Sequence, residues 1–512
     1  MAFDILSEIV EKRKADIACL GVSLGFEVPE KRVRKIHQFV PFGEKGVILE
    51  IKRASPSKGD IAPSLSAPDT AKKYAHAGAM AISCLTEQNY FKGNLSDFMA
   101  AACALDDFER SGEKIPALLR KDFLLSADEV EVSFRAGADA VLLIARILSA
   151  DVLVEMAKKC AELGLTSLIE VRKEEDLEKL EEVAREVPAE AIVCGVNARD
   201  LRDFSIDLLT PVRVLEKIRK ILGENARVVF ESGIRTPLAA RFSGSLGFNA
   251  LLLGEAAARN PSSAASLVTS FSTSPKTQNA TSWTKVCDKL NAKKEGRPLV
   301  KICGITNEED ALKVAELGAD ALGFVFAKKS PRCVVPFKVN DIVVALERAG
   351  LRDKVLLVGV VTDVKSEEAL FAKSLLDAGA LDFIQLHGCQ DSLYDGSFSA
   401  DEAHFCAVNL CEESDFDLIE TLKNNGEPRF LVDAKSGDKI GGTGERIPSS
   451  LLAQASKKNR LWLAGGISAD NVCEIVKEFN PELIDVSSCL EEKPGKKSFE
   501  KLERFFSEIN KL

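Results

Sequence analysis

"AGADAVLLI", residues 136–144, joins a glycine to a short unbroken apolar run. Glycine just past a last helical turn permits the left-handed backbone angle that ends a helix, and the run has the length of a strand buried on both faces. The same junction recurs as "AGAMAISCL" from Ala77, "LGFNALLLG" from Leu246, "LGADALGFVF" from Leu317 and "AGALDFIQL" from Ala378. Repeated βα units are implied.

Counting outward from these junctions gives runs near Val47, Ala81, Pro116, Ala140, Ser167, Ala191, Val228 and Ala250. A second series lies near Val300, Ala321, Val355, Phe383, Phe405, Phe430, Trp462 and Leu483. Spacings of about 20–35 residues suit one strand plus one helix, and eight such units close a (β/α)₈ barrel. The fold expected is α/β, two TIM barrels in tandem: residues 1–260, a linker over 261–296, and residues 297–512. The linker expectation rests on "RNPSSAASLVTSFSTSPKTQNATSW", rich in Ser and Thr and without sustained periodicity. Ahead of the first barrel, "FDILSEIVEKRKADIACL" sets Leu6, Ile9, Val10, Ile17 and Leu20 on one helical face, with the stem of Arg13 filling the gap. An added helix packed on the barrel fits this pattern, and so does an ordinary surface helix.

Composition excludes several classes. A net charge of −10, with the basic residues scattered, offers no stripe for nucleic acid and no patch for an anionic membrane. Thirteen cysteines without regular spacing read as reduced thiols, and four histidines outside any zinc pattern make a metal site unexpected. The acidic "MAFDILSE" start and the lack of a long apolar run point to the cytoplasm, with a monomer as the default and no partner protein indicated.

Side chains at the C-terminal ends of barrel strands share one mouth. The first series ends in "ILEIKRASPS", "SCLTE", "ALLRKDF", "LLIAR", "SLIEV", "GVNARDL", "VFESGI" and "LLLGEA". Lys52, Lys121, Glu170, Asn197, Arg199, Glu231 and Ser232 would therefore converge, with Arg53 and Ser55 just beyond the first strand. Glu50 and Lys52, two apart and on one face, can offset each other's burial. A structural ion pair at the rim is the other reading of them. Carboxylates favour an ammonium while neighbouring cations favour the neutral amine, so a mixed set could poise Lys121 as a proton donor near neutral pH.

The turns at Ser232–Gly233 and at Gly254, Glu255 and Ala256 offer free backbone N–H groups for a phosphate. In the second series Gly465–Gly466 and Ser487–Ser488 form a similar cup. Cys303 of "KICGIT" and Asp433 of "FLVDAKSG" would face each other as base and acid, although Cys303 alone also fits a packed thiol.

Taken together, "EIKRASPSKG", "LRKDF", "LIEV", "GVNARDL" and "ESGI" resemble indole-3-glycerol phosphate synthase. The later "KICGIT", "SPR", "QLHG", "LAGGI" and "DVSS" resemble phosphoribosylanthranilate isomerase. Their order matches the bifunctional enzyme of tryptophan biosynthesis. The resemblance implies that the C-terminal barrel performs an Amadori rearrangement of N-(5-phosphoribosyl)anthranilate. The N-terminal barrel would close the indole ring of the product, 1-(2-carboxyphenylamino)-1-deoxyribulose 5-phosphate, with loss of carbon dioxide and water. It further implies Lys121 as general acid, Glu170 as proton-transferring carboxylate and Glu50 with Lys52 as an assisting pair. Asn197, Arg199 and Ser232 would position the aromatic ring, Asp433 and Cys303 would be acid and base, and Arg332 would hold the anthranilate carboxylate. Neither step needs a cofactor or metal. Barrels kept only to bind phosphate would lack the acid–base groups, yet Lys121, Glu170, Cys303 and Asp433 are all present. One feature departs from a plain match: Cys489 stands where a glycine is expected beside the phosphate cup; the loop "VDAKSGDKIGGTGER" keeps its glycines, consistent with a mobile lid over Asp433.

Overall fold

In the computed structural model, residues 5–110, 115–200, 203–260, 263–434, 447–458 and 460–512 are described. Each apolar run is a strand. The first unit holds β1 Gly46–Ile51, β2 Ala81–Leu85, β3 Ala117–Lys121, β4 Ala140–Ile144, β5 Thr166–Val171, β6 Ile192–Asn197, β7 Val228–Glu231 and β8 Ala250–Leu253. They pair in parallel and in chain order, and β8 closes on β1. The second unit repeats this with β9 Leu299–Cys303, β10 Ala321–Phe326, β11 Leu356–Val361, β12 Phe383–His387, β13 His404–Asn409, β14 Phe430–Asp433, β15 Trp462–Ala464 and β16 Leu483–Val486, where β16 closes on β9. The chain divides between Lys276 and Thr277.

The junctions that betray the fold also clasp it. Gly137, Gly247, Gly318 and Gly379 all take left-handed φ values. Two or three residues later a short polar side chain ties down the preceding strand. Asp139 Oδ2 accepts from Leu118 N, Asp320 Oδ2 from Val300 N and Asp382 Oδ2 from Leu357 N, each at 2.8 Å, and Asn249 Oδ1 accepts from Val228 N at 2.9 Å. These bonds satisfy strand-end N–H groups that burial would otherwise leave unpaired.

Inside the first barrel, Phe39 and Val40 pack in one cluster with Ala81, Ala117, Ala140 and Ala250, the residues that open four of the strands. Small side chains there leave room for Phe39. The N-terminal helix Ile5–Leu20 joins the same core through Leu6 and Ile9, whereas Leu20 is exposed. Arg13 does more than fill a gap with its stem. Its guanidinium is buried, with Nη2 2.7 Å from Glu129 Oε1 and 3.1 Å from Asp122 Oδ2.

Residues 261–296 are no plain linker, because helices Ala264–Ser272 and Gln278–Ala292 occupy most of the stretch. Leu267, Val268 and Phe271 face inward on the first, as do Ala280, Trp283, Val286 and Leu290 on the second. The helical spacing is present but is masked by Ser and Thr on the outer faces. Trp283 lies 5.3 Å from Phe383 and 5.6 Å from Trp462, the opening residues of β12 and β15, so this helix plugs the N-terminal end of the second barrel. Asn279 of this helix is buried, and its Nδ2 donates to Ala400 O at 3.1 Å. No helix among the described residues is long and apolar enough to cross a membrane.

Candidate active site

The C-terminal ends of β1–β8 surround a cleft of about 1160 Å³ including its open mouth. β1 ends with Glu50 and Lys52 on one face, 3.4 Å apart. β3 ends at Lys121, whose Nζ is 3.3 Å from both Glu50 Oε2 and Glu231 Oε2. Lys121 therefore bridges two carboxylates that lie on strands far apart in the chain. Burial works against its charge, but Glu50, Glu231 and Glu170 outweigh it and hold the amine firmly as ammonium. It is not poised near neutral pH, contrary to the expectation from the sequence. Burial also works against the Glu50 carboxylate, which Lys121 and Lys52 hold below its ordinary range.

Glu170 behaves oppositely. Burial and the neighbouring Glu231 push it up to about 8, against the pull of Lys121, so it carries a proton at neutral pH. Glu231 rises as well, chiefly through burial. The cleft thus holds a fixed ammonium beside a carboxyl group able to exchange its proton. Gly195 makes this possible: a Cβ there would meet Glu231 Oε1 at 2.1 Å.

Lys52, Ser55, Asn197, Arg199, Ser232, Gly233, Gly254 and Glu255 line the cleft, as expected. Arg53 does not line it. It forks onto Asp97 and binds Leu65 O at 3.1 Å, tying the loop after β1 to the helix Leu95–Arg110. Glu231 is fully buried beneath the floor and acts on the cleft through Lys121. Gly233 does not start a helix; the next one begins at Pro237, and Ser232 and Gly233 both hold left-handed φ values of 72° and 86°. Gly254 caps the short helix Glu255–Arg259. The lining also has an apolar part, with Leu6, Ile9, Phe91, Phe123 and Ile144, and Lys52 Nζ lies 5.3 Å from the Phe91 ring centre. Phe91 comes from the loop after β2, and Leu6 and Ile9 from the N-terminal helix; all three lie outside the strand-end pattern and could not be read from it.

The second cleft, about 820 Å³ including its mouth, brings together Cys303, Arg332, Asp433, Gly465, Gly466, Ser487 and Ser488, all expected from the sequence. Asp433 is pushed up to about 7 by burial and by Asp485. His387 Nε2 sits 4.0 Å from Asp433 Oδ2, and burial together with Lys301 lowers His387 to about 4, so its ring is neutral. Gln385, His387 and Asp485 also line this cleft, and Gln385 Oε1, His387 Nε2 and Asp485 Oδ1 are buried without a hydrogen-bond partner. Their signal in the sequence was the inward alternation of β12 and β16.

Arg332 differs from expectation. Its Nε and Nη2 are forked onto Glu491, at 2.9 Å and 2.7 Å, and Lys497 Nζ joins the same carboxylate at 3.1 Å. Only Nη1 stays outside that fork. Cys489 begins no strained turn: it lies in the short 3-10 helix Ser488–Leu490 with a negative φ, so glycine is not demanded by the backbone there, although its side chain does line the cleft. The loop expected to act as a lid over Asp433 falls, from residue 435 to 446, outside the described residues.

Two (β/α)₈ barrels, each with a buried carboxyl group raised well above its ordinary range and a second ionisable group at the same mouth, place the chain among tandem TIM-barrel proteins with two candidate acid–base sites. Sequence comparison makes the class specific. The family described as indole-3-glycerol phosphate synthase matches residues 6–269, and that described as N-(5'-phosphoribosyl)anthranilate isomerase matches residues 300–508. The tryptophan biosynthesis protein TrpCF of Vibrio parahaemolyticus is 30% identical over 91% of this chain and 85% of its own length. The multifunctional tryptophan biosynthesis protein of Schizosaccharomyces pombe is 30% identical over 91% of this chain. The chain spans 59% of that relative and 63% of its counterpart in Phycomyces blakesleeanus. A solved phosphoribosyl anthranilate isomerase from Thermotoga maritima is 32% identical over 42% of this chain and 100% of its own, at a TM-score of 0.36. The chain belongs to the family of fused indole-3-glycerol phosphate synthases and phosphoribosylanthranilate isomerases.

Proposed function

We propose that this protein carries out two consecutive steps. The second barrel converts N-(5-phosphoribosyl)anthranilate to 1-(2-carboxyphenylamino)-1-deoxyribulose 5-phosphate, and the first barrel closes that product to indole-3-glycerol phosphate. The observation that carries the reading is the pairing, in each cleft, of a buried carboxyl group raised to about 7 or 8, where it can exchange its proton near neutral pH, with a second group that complements it.

In the second barrel Asp433 gives its proton to the ribose ring oxygen. The ring opens to an iminium ion. Cys303, as thiolate, then takes the proton from the adjacent carbon, and the electron pair of that C–H bond passes toward the nitrogen. Arg332, through Nη1, faces the anthranilate carboxylate. Gly465, Gly466, Ser487 and Ser488 take the phosphate by backbone N–H and hydroxyl groups.

In the first barrel Lys121 donates a hydrogen bond to the ketone and stabilises negative charge as it grows on that oxygen. Its strong hold on its proton suits it to this task. Lys52 faces the substrate carboxylate, steadied by Glu50. Glu170 moves the proton during dehydration, while the wall of Phe91, Phe123 and Ile144 takes the aromatic ring, with Asn197, Arg199 and Ser232 at its edge. Ser55 completes the sugar side. The N–H groups of Gly233, Gly254 and Glu255 receive the phosphate.

The test is to supply purified protein with N-(5-phosphoribosyl)anthranilate and follow both products over time. Formation of the ketose followed by indole-3-glycerol phosphate is expected. Consumption of the substrate with neither product would refute the assignment.

A further inference from the structure

Lys301 stands in the middle of β9, with the strand register placing it opposite Asp485 of β16 and Ala321 of β10. It is 1% exposed, so its ammonium is buried inside the barrel, and Nζ sits 2.6 Å from Asp485 Oδ2. Two residues further along the same face is Cys303. Both side chains converge over the α-carbon of Gly323, where a Cβ would meet Cys303 Sγ at 2.7 Å and Lys301 Nζ at 3.1 Å. The sulfur and the ammonium therefore lie less than about 6 Å apart. Asp485 binds the ammonium with one oxygen only; Oδ1 is buried, has no partner and borders the cleft. Nothing in the acid–base pairing of Cys303 with Asp433 accounts for a buried cation at this position.

We propose that Lys301 is the counter-ion of the Cys303 thiolate, a positioning residue that lets this thiol ionise inside the barrel, and that Asp485 tunes the thiol by competing for the same ammonium. The inference rests on the reading of Cys303 as the base of the isomerase step. Burial, with Asp485, holds the Cys303 thiol above its ordinary value, and Lys301 is the foremost influence that limits the rise. The other charged or titratable groups facing this corner leave the role open to Lys301. Lys497 also favours the thiolate, but less than Lys301, and its Nζ is engaged with the Cys303 carbonyl oxygen at 2.7 Å and with Glu491 at 3.1 Å. Arg332 and Glu491 are occupied with each other, and Asp433 and His387 carry no positive charge near neutral pH.

Loss of the thiol proton leaves the sulfur negative and the ammonium intact, shared between Sγ and Asp485. Return of the proton from the substrate carbon restores the resting pair. No bond other than S–H is made or broken on the protein.

The test measures ionisation directly in the ligand-free, full-length protein. Alkylation of Cys303 by iodoacetamide is followed against pH by mass spectrometry of its peptide, with exposed Cys411 as reference in the same digest. In Asp485→Asn the ammonium is left to the sulfur alone, so Cys303 should become reactive at lower pH than in the unmodified protein. In the doubly neutral Lys301→Met, Asp485→Asn protein, which leaves no unpaired charge, reaction at neutral pH should slow by about tenfold, the effect of one unit in thiol pKa. Cys411 should respond to neither change. Identical Cys303 profiles in all three proteins would overturn the proposal, as would a shift of Asp485→Asn to higher pH. Should the double variant fail to fold, Lys301→Gln takes its place: Cys303 should then become reactive only at higher pH, and an unmoved profile would overturn the proposal. Retention of isomerase turnover in Cys303→Ala would refute the base assignment while leaving the alkylation result intact, which separates the two failures.

Discussion

Asp433 and Glu170 are the residues whose surroundings say most about their chemistry. Asp433 is useful as an acid only while it holds its proton, and Cys303 as a base only once it has lost its own; with burial setting Asp433 at about 7 and lifting the thiol above its ordinary value, kcat/KM for isomerisation should rise with pH below about 7 and level off above it, where loss of the Asp433 proton offsets the gain in thiolate. Asp433→Asn should abolish isomerisation and leave ring closure untouched. A kcat/KM that keeps climbing steeply from pH 7 to 9 in the unmodified protein would speak against Asp433 as the donor. Glu170, raised from 4.5 to about 8, has a stability consequence. Between those two pH values the folded state binds the extra proton and the unfolded state does not, so stability drops as pH rises. Glu170→Gln removes that loss and should be more stable than the unmodified protein at pH 8, on the order of 2 kcal/mol, with the gap closing below pH 5. Thermal unfolding at the two pH values checks it, and a variant less stable at pH 8 would contradict the buried-carboxyl account. At this scale the sequence showed most of the residues that reach the mouth, Arg53 and Glu231 excepted, but not their protonation. Nothing in "LRKDF" says that Lys121 has Glu50 and Glu231 on either side.

At the scale of elements, the N-terminal helix is held by charge as well as by apolar packing. Arg13 meets Asp122 and Glu129, while Arg120 Nη2 binds Asp122 at 3.0 Å and Thr86 donates to it at 2.5 Å. Asp122 directly follows Lys121, so one buried cluster fixes the helix that contributes Leu6 and Ile9 to the cleft and the strand that ends in the central ammonium. Arg13→Met leaves two buried carboxylates facing one guanidinium and should destabilise the first unit by about 3–5 kcal/mol. In whatever fraction stays folded, kcat/KM for ring closure should fall, with isomerisation unchanged. Denaturant titration with parallel assays of both reactions tests this, and equal loss of both activities would rule out a local role. The apolar period showed this helix, but Arg13 interrupted it and took on meaning only once Asp122 and Glu129 were found beneath it. The helices within 261–296 were obscured for a related reason: their inward residues keep helical spacing, but Ser and Thr dominate the composition on which the linker reading relied.

For the whole molecule, two closed barrels with separate clefts imply two separable activities. Lys121→Met should lose ring closure and keep isomerisation, and Cys303→Ala should do the reverse. Mixed in one solution, the two variants should carry N-(5-phosphoribosyl)anthranilate through to indole-3-glycerol phosphate, with the ketose passing through solvent. Loss of both activities in either folded variant would show that the sites depend on each other. The strands of both barrels and the residues at their C-terminal ends were set by sequence alone, because a strand buried on both faces needs an unbroken apolar run, and the change to polar residues marks where the run leaves the core. Tertiary structure alone decided how those polar residues use one another: Arg332 is given to Glu491, Arg53 is drawn away to Asp97, and Lys121 is locked as a cation. Charge interactions depend on distance and burial, and barrel closure sets both between residues that the chain itself keeps far apart.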